Sequence, residues 1–148
     1  MNFPIHRTGL SAALMLAATV SLQALAAPTP LPPLRTVGVA SYTSGGVGEA
    51  QAARFKAAFD QFPLAIELLE HVGAHDQYTA DARVKIVDHR GQTVLDERAQ
   101  GPFMLVRLPA GEYRVMAWLN GHALPAHEVH VTARDHLRTA FVWSPNAG

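Results

Sequence analysis

The sequence predicts a mainly β protein: an antiparallel β-sandwich of seven to eight strands with one N-terminal amphipathic helix packed on it. Three observations carry this. Short apolar segments recur over residues 64–143 with turn signals between them, at roughly the 8- to 12-residue spacing of sandwich strands. Residues 101–122 read as two strands joined at Pro109-Ala110-Gly111, where proline fixes φ and the glycine is free to take a positive one. Asn120-Gly121 then closes the second strand with the strongest short hairpin signal, because both central residues of a type I′ turn need positive φ. Within that strand Tyr113, Val115, Ala117 and Leu119 fall at period two and share one face, while Arg114, Met116 and Trp118 share the other.

The chain opens with His6-Arg7, an Ala- and Leu-rich run over 9–20, and Ala24-Leu25-Ala26 ahead of Ala27-Pro28. A positive start, an apolar middle and an Ala-x-Ala site make a secretory signal peptide, with cleavage expected after Ala26. Ser11, Thr19, Ser21 and Gln23 interrupt the run and argue against an uncleaved anchor. The chain has no cysteine, which excludes a lipid-modified N-terminal cysteine, a disulfide and a thiolate metal site. The fold must therefore hold by packing, and the remaining roughly 120 residues are one domain able to bury about two-thirds of its unfolded surface. Twelve Lys and Arg balance twelve Asp and Glu, and losing Arg7 with the leader leaves eleven against twelve. So even a balance argues against non-specific binding to nucleic acid or to a membrane surface. No second apolar run is long enough to span a bilayer.

Residues 27–35 contain four prolines and no periodicity, and read as an extended linker that only spaces the domain from the cleavage site. Residues 36–42 alternate weakly and suit a short strand. Ser44-Gly45-Gly46-Val47-Gly48 turns into a helix over 49–62: Phe55, Phe59 and Phe62 lie at i, i+4 and i+7, Ala52 and Ala58 lie beside them, and Arg54 and Lys56 take other faces. Glu49 suits the positive end of the helix dipole, and Pro63 stops the helix. Over 64–72, Leu64, Ile66 and Leu68 alternate with Ala65, Glu67 and Leu69. Leu64, Leu68 and Val72 also fit a helical period, but Pro63 at the start and the sandwich's need for a strand favour β. Residues 73–79 read as loop, 83–88 as a strand with Val84 and Ile86 inward, 88–91 as a turn and 93–97 as the return strand. After Asn120-Gly121, residues 128–132 form a strand with Val129 and Val131 inward, and 137–143 closes the sheet.

Leu108-Pro109-Ala110-Gly111-Glu112-Tyr113-Arg114-Val115 resembles the Leu-Pro-x-Gly-x-Tyr-x-Val signature of carboxypeptidase regulatory-like domains. Asp88-His89-Arg90-Gly91, Val94-Leu95 and Gly101-Pro102 are similar to the hairpin that precedes it in that family. The resemblance covers residues 64–143. It implies a transthyretin-like or Ig-like sandwich, a domain without catalysis of its own, and a wide range of roles, since such sandwiches carry many unrelated functions. The Gly45-Gly46-Val47-Gly48 turn ahead of the sandwich is similar to one in small exported bacterial proteins, which implies the periplasm as the compartment.

The chemistry-bearing residues are sparse. Gly45, Gly46 and Gly48 precede a helix and could offer N–H groups to an anion. The spacing, however, is neither Gly-x-Gly-x-x-Gly nor a P-loop, and the plainer role is a tight reversal that docks the helix. Among the histidines, His71 and His75 would stand roughly 13 Å apart on one extended strand. His127 and His130 would face opposite ways, and His-Glu-Val-His is one residue short of the helical zinc motif. With His89 and His122 in turns, no metal site and no cofactor are expected. Ser41, Ser44 and Ser144 lie in no nucleophile elbow, and the adjacent Asp96 and Glu97 point to opposite faces of a strand, so the chain reads as a non-enzyme.

The faces opposite the core carry Arg83, Lys85, Arg107, Arg114 and Trp118, cations beside an aromatic that suit an acidic sugar, a carboxylate or a partner's acidic edge. Met116 and Trp118 equally suit the apolar surface that the phenylalanine helix must cover. The expectation is an exported, non-enzymatic module that binds another cell-envelope protein, through an edge strand such as 137–143. The alternative is carbohydrate or acidic small-ligand binding through the Arg/Trp face.

Overall fold

The computed structural model describes residues 27–144; the leader assigned to 1–26 and the last residues, 145–148, lie outside them. In chain order the elements are β1 (Arg35–Val37), β2 (Ala40–Gly45), α1 (Glu49–Ala57), β3 (Leu64–Val72), β4 (His75–Tyr78), β5 (Arg83–Asp88), β6 (Thr93–Arg98), β7 (Phe103–Arg107), β8 (Gly111–Leu119), β9 (His122–Ala123), β10 (His127–Val131) and β11 (Leu137–Trp143), with a 3-10 turn at Phe59–Gln61. The first sheet runs β1-β2-β7-β3-β11, with β4 added to β3. The second runs β10-β8-β5-β6, with β9 added to β8. All pairings are antiparallel except β11 on β3, which is parallel in the register Leu137↔Leu64 to Trp143↔Glu70.

Two apolar layers hold these sheets. The main core lies between them and draws Leu64, Ile66 and Leu68 from β3, Met104 and Val106 from β7, Val84 and Ile86 from β5, Val115 and Ala117 from β8, and Phe141 from β11. Each such side chain, fully buried, contributes roughly 1.5–3 kcal/mol. The second layer lies on the other side of the first sheet, where Phe55, Ala58, Phe59 and Phe62 cover Ala65, Phe103 and Leu105. This explains why β7 reads Phe-Met-Leu-Val without a polar break: it is buried on both faces, whereas β8 alternates because its second sheet meets solvent.

The turn motif between β7 and β8 has a structural role. Tyr113, near the start of β8, donates its phenolic O–H to the carbonyl of Pro109 at 2.8 Å, so that the strand is tied back to the corner it has just left. A tyrosine that bonds a few residues upstream in this way is a recurrent lock of β-sandwich corners. At the other hairpin, Asp88 Oδ1 accepts the N–H groups of Arg90 and Gln92, and Gly91 N–H bonds the Asp88 carbonyl.

Several expectations are corrected. Residues 36–42 belong to two strands, β1 and β2, which reverse at Gly38, where φ is +56°. The Pro-rich segment 27–35 does more than space the domain: Leu31 packs on the helix layer, the Pro32 carbonyl accepts the Thr43 hydroxyl at 2.9 Å, and Arg35 opens β1. The helix ends at Ala57 rather than running to residue 62, because the chain tightens into the 3-10 turn and extends at Phe62; all three phenylalanines are buried nonetheless. Residues 73–79 are not a loop throughout, since β4 pairs back on β3 from Val72↔His75 to Leu69↔Tyr78. That strand is polar and exposed along its length, so no apolar alternation marked it. Finally, α1 packs on β2 and β7 of the first sheet, and Met116 and Trp118 of the second sheet are not its docking surface.

Candidate functional site

The predicted cationic face divides between the sheets. Arg83, Lys85, Arg114 and Trp118 stand on the outer face of the second sheet, because their inward neighbours Val84, Ile86, Val115 and Ala117 fill the core. Arg107 does not join them. It ends β7 in the first sheet, and its guanidinium lies 4.8 Å from the ring centroid of Phe62. Lys56 over Tyr78 and Arg138 over Phe59 make similar contacts, so the phenylalanine layer is rimmed with cations.

On the second sheet most of the positive charge is already answered. Arg83 grips Asp96 like a fork, Nε to Oδ1 at 2.7 Å and Nη2 to Oδ2 at 2.6 Å. Arg114 Nε donates to Glu128 Oε1 at 2.6 Å across the β8–β10 pair, and Lys85 stands in register with Asp96 and Met116. The hydrogen bond from Arg83 holds the Asp96 carboxyl below its ordinary range, against partial desolvation, which acts the other way. A depressed folded-state pKa contributes stability above the unfolded value, near pH 4, and loses it as pH falls through the folded one. Urea midpoints of wild type and Asp96→Asn are therefore expected to converge as pH drops from about 6 to about 2, by a small amount because the pair is exposed. Parallel curves would mean that the fork adds nothing.

One row of this face differs from the rest. Arg98, Arg83 and Trp118 stand side by side on β6, β5 and β8 in the register Arg98↔Arg83↔Trp118. The Arg83 guanidinium lies 5.6 Å from the Trp118 ring centroid. A pocket of about 240 Å³ opens at this row, completed by Asp81, Asn120 and Gly121. Asp81 (φ +66°) and Asn120 (φ +50°) are the two non-glycine residues with positive φ among the described residues, and both line it.

A second feature is the seam between the sheets. β10 and β11 are outer strands of their respective sheets, and neither pairs with the other. His127 bridges them, its ring stacked on Phe141 at 4.2 Å between centroids and its Nδ1 meeting the Thr139 hydroxyl. The groove along this seam has a volume of about 560 Å³ and is lined by His127, Val129 and His130 on one wall and Leu137, Arg138 and Thr139 on the other.

The remaining candidates resolve differently. The Gly-rich turn has no open cradle: the N–H groups of Gly46 and Val47 both converge on Gln51 Oε1, at 2.8 and 3.1 Å, and Gly45 belongs to β2. His71 and His75 lie on facing strands of a hairpin rather than on one strand, with His71 Nδ1 bonded to Asp76 Oδ1 at 2.7 Å. Among the described residues no group of three or more His, Asp or Glu side chains is arranged to hold a metal ion, and no helix is long and apolar enough to cross a membrane. Ser44 accepts the Gln100 N–H and has no base beside it.

Arg98, Asp81 and Asn120 were not singled out from sequence as site residues. Their signal was present only as Arg98 at an even spacing from Asp96, and it needed the β5–β6 register to acquire meaning. Set against family models, curated proteins and solved structures, the chain matches none of them.

Proposed function

We propose that the chain is an exported, non-enzymatic β-sandwich module of transthyretin-like or Ig-like type that binds another protein of the cell envelope, and that the partner adds an extended segment along the seam between β10 and β11. The observation that carries this reading is the pair of unpaired strand edges meeting at one groove. Leu137 directs its N–H to the Pro63 carbonyl at 2.9 Å. By the two-residue alternation of a strand, Arg138, Ala140 and Val142 direct theirs away from β3, where an incoming strand can use them. Most of the β11 edge carries no blocking device: Arg138 is its single charge, there is no proline, and Ala140 and Val142 are small or apolar. The tyrosine corner and the parallel pairing of β3 with the last strand support the sandwich type. The residues over 1–26 support export and a periplasmic location.

Proline at Ala140 removes an outward N–H while leaving the bonds to β3 intact, since edge strands tolerate proline on their free side. The tagged mature chain is expected to capture a reproducible envelope protein by crosslinking in its own compartment, and Ala140→Pro to reduce that capture at least tenfold without lowering the denaturation midpoint appreciably. Equal capture by the variant, or no reproducible capture by the wild type, overturns the seam as the contact.

A further inference from the structure

We infer that the pocket at the Arg98-Arg83-Trp118 row binds an acidic sugar, a pyranose bearing a carboxylate, with the carboxylate on Arg98 and the ring against Trp118. The site lies on the outer face of the second sheet and is independent of the β10–β11 seam.

The charge arithmetic of the row points to an anion. Arg83 and Arg98 stand directly opposite one another on β5 and β6, a like-charge pairing that disfavours the sheet unless something neutralises it. Of the two acids near the row, Asp96 is engaged by Nε and Nη2 of Arg83, and Asp81, which lines the pocket, forms no ion pair among the described residues. Arg98 forms no ion pair among the described residues and is exposed at the pocket. A carboxylate from a ligand is what a guanidinium in this position is shaped to receive, through two parallel N–H···O bonds.

The rest of the lining selects among anions. Trp118 is half-buried, so its indole offers an apolar surface of the kind that packs on the C–H face of a sugar ring, and Arg83 holds the indole in place from one side. Its Nε1–H has no hydrogen-bond partner in the protein among the described residues and, no buried side-chain polar atom being left unsatisfied, reaches solvent. Asn120 brings an amide with both donor and acceptor, and Asp81 brings an acceptor only. Asp81 decides the class. Sulfate has no hydroxyl hydrogen to give it and suffers its charge, and phosphate can donate a P–O–H but brings no ring to Trp118, whereas a sugar acid donates hydroxyls to Asp81 while its carboxylate lies across the pocket on Arg98. The volume of about 240 Å³ holds a single pyranose ring.

The chain has two tryptophans, which makes the test direct. Trp143 is buried and donates its Nε1–H to the His122 carbonyl at 2.9 Å, so its indole signal serves as an internal reference for folding. In a two-dimensional NMR titration of the mature chain, sodium glucuronate is expected to shift the Trp118 indole and the Arg98 Nε–H saturably, with Kd on the order of 1 mM for so small a ligand, and to leave Trp143 unmoved. Glucose, acetate and inorganic phosphate, each supplying part of the chemistry, are expected to bind at least tenfold more weakly. Arg98→Gln is expected to weaken glucuronate binding about tenfold or more with the Trp143 signal unchanged, and Arg114→Gln, outside the pocket, to leave it as in wild type. No saturable Trp118 shift at about 20 mM glucuronate overturns the proposal. So does equal affinity for glucose, acetate or phosphate, or binding undiminished in Arg98→Gln.

Discussion

Replacing Gly101 with alanine is expected to destabilise the protein by about 3 kcal/mol or more. A Cβ at this position would lie 2.3 Å from the Gly45 carbonyl oxygen and 2.4 Å from its carbon. Those are backbone atoms of β2 beside its pairing with β7, Gly45↔Phe103, so no side chain can turn aside to make room. Relief requires the segment before β7 to move off β2, at the point where the nearby Ser44 hydroxyl accepts the Gln100 N–H at 3.1 Å. Gly121→Ala is the control. There a Cβ meets nothing within 4 Å, and the cost is the positive φ of +83° alone, roughly 1 kcal/mol. Urea denaturation of the two variants separates steric contact from backbone preference, and equal midpoints would refute the contact.

Phe103→Ala is the second large effect, expected to cost about 3–5 kcal/mol. The Phe103 ring is fully buried on the outer side of the first sheet, stacked on Phe55 at 5.9 Å, edge-on to Phe59 at 5.7 Å and tilted against Tyr78 at 4.9 Å between centroids. It therefore joins three separate segments: α1, the 3-10 turn and β4. The same ring fills the space beside Gly46, where a Cβ would come within 2.3 Å of it. Truncation leaves the main core between the sheets untouched and opens the second layer only. The expected signature is a lowered denaturation midpoint together with new proteolytic cleavage within residues 46–62, the segment that loses its anchor. A loss under about 1 kcal/mol with no new cleavage would mean that the helix is held by something other than this ring.

The second effect comes from the way the helix reaches the sheet, and that is where sequence and structure divide most clearly. The strands with one wet face were legible because burial on one side imposes a period of two: β8 alternates cleanly, and Val84 and Ile86 of β5 were placed inward correctly. The Asn-Gly turn was legible because few residues tolerate its backbone angles, whereas Gly111, read as free to take a positive φ, opens β8 without one. The three phenylalanines were rightly read as a buried stripe, but Met116 and Trp118, offered as a surface for them, lie on the other sheet. The uninterrupted Phe103 to Val106 run marked a strand covered on both faces, and periodicity alone does not say which element covers it. β4 was missed for the opposite reason, since an exposed polar strand leaves no hydrophobic trace and exists by pairing with β3.

The candidate pocket follows the same rule. By itself the sequence determined that Arg83, Arg114 and Trp118 lie away from the core, because alternation is a property of a single strand. Only the tertiary structure decided which of them are neighbours, because neighbourhood across a sheet depends on register and strand order, which local patterns do not encode. Register brought Arg98 beside Arg83 and Trp118, took Arg107 to the other sheet, and matched Arg114 to Glu128. It also set β11 parallel to β3, which left β11 an outer edge and opened the seam against β10.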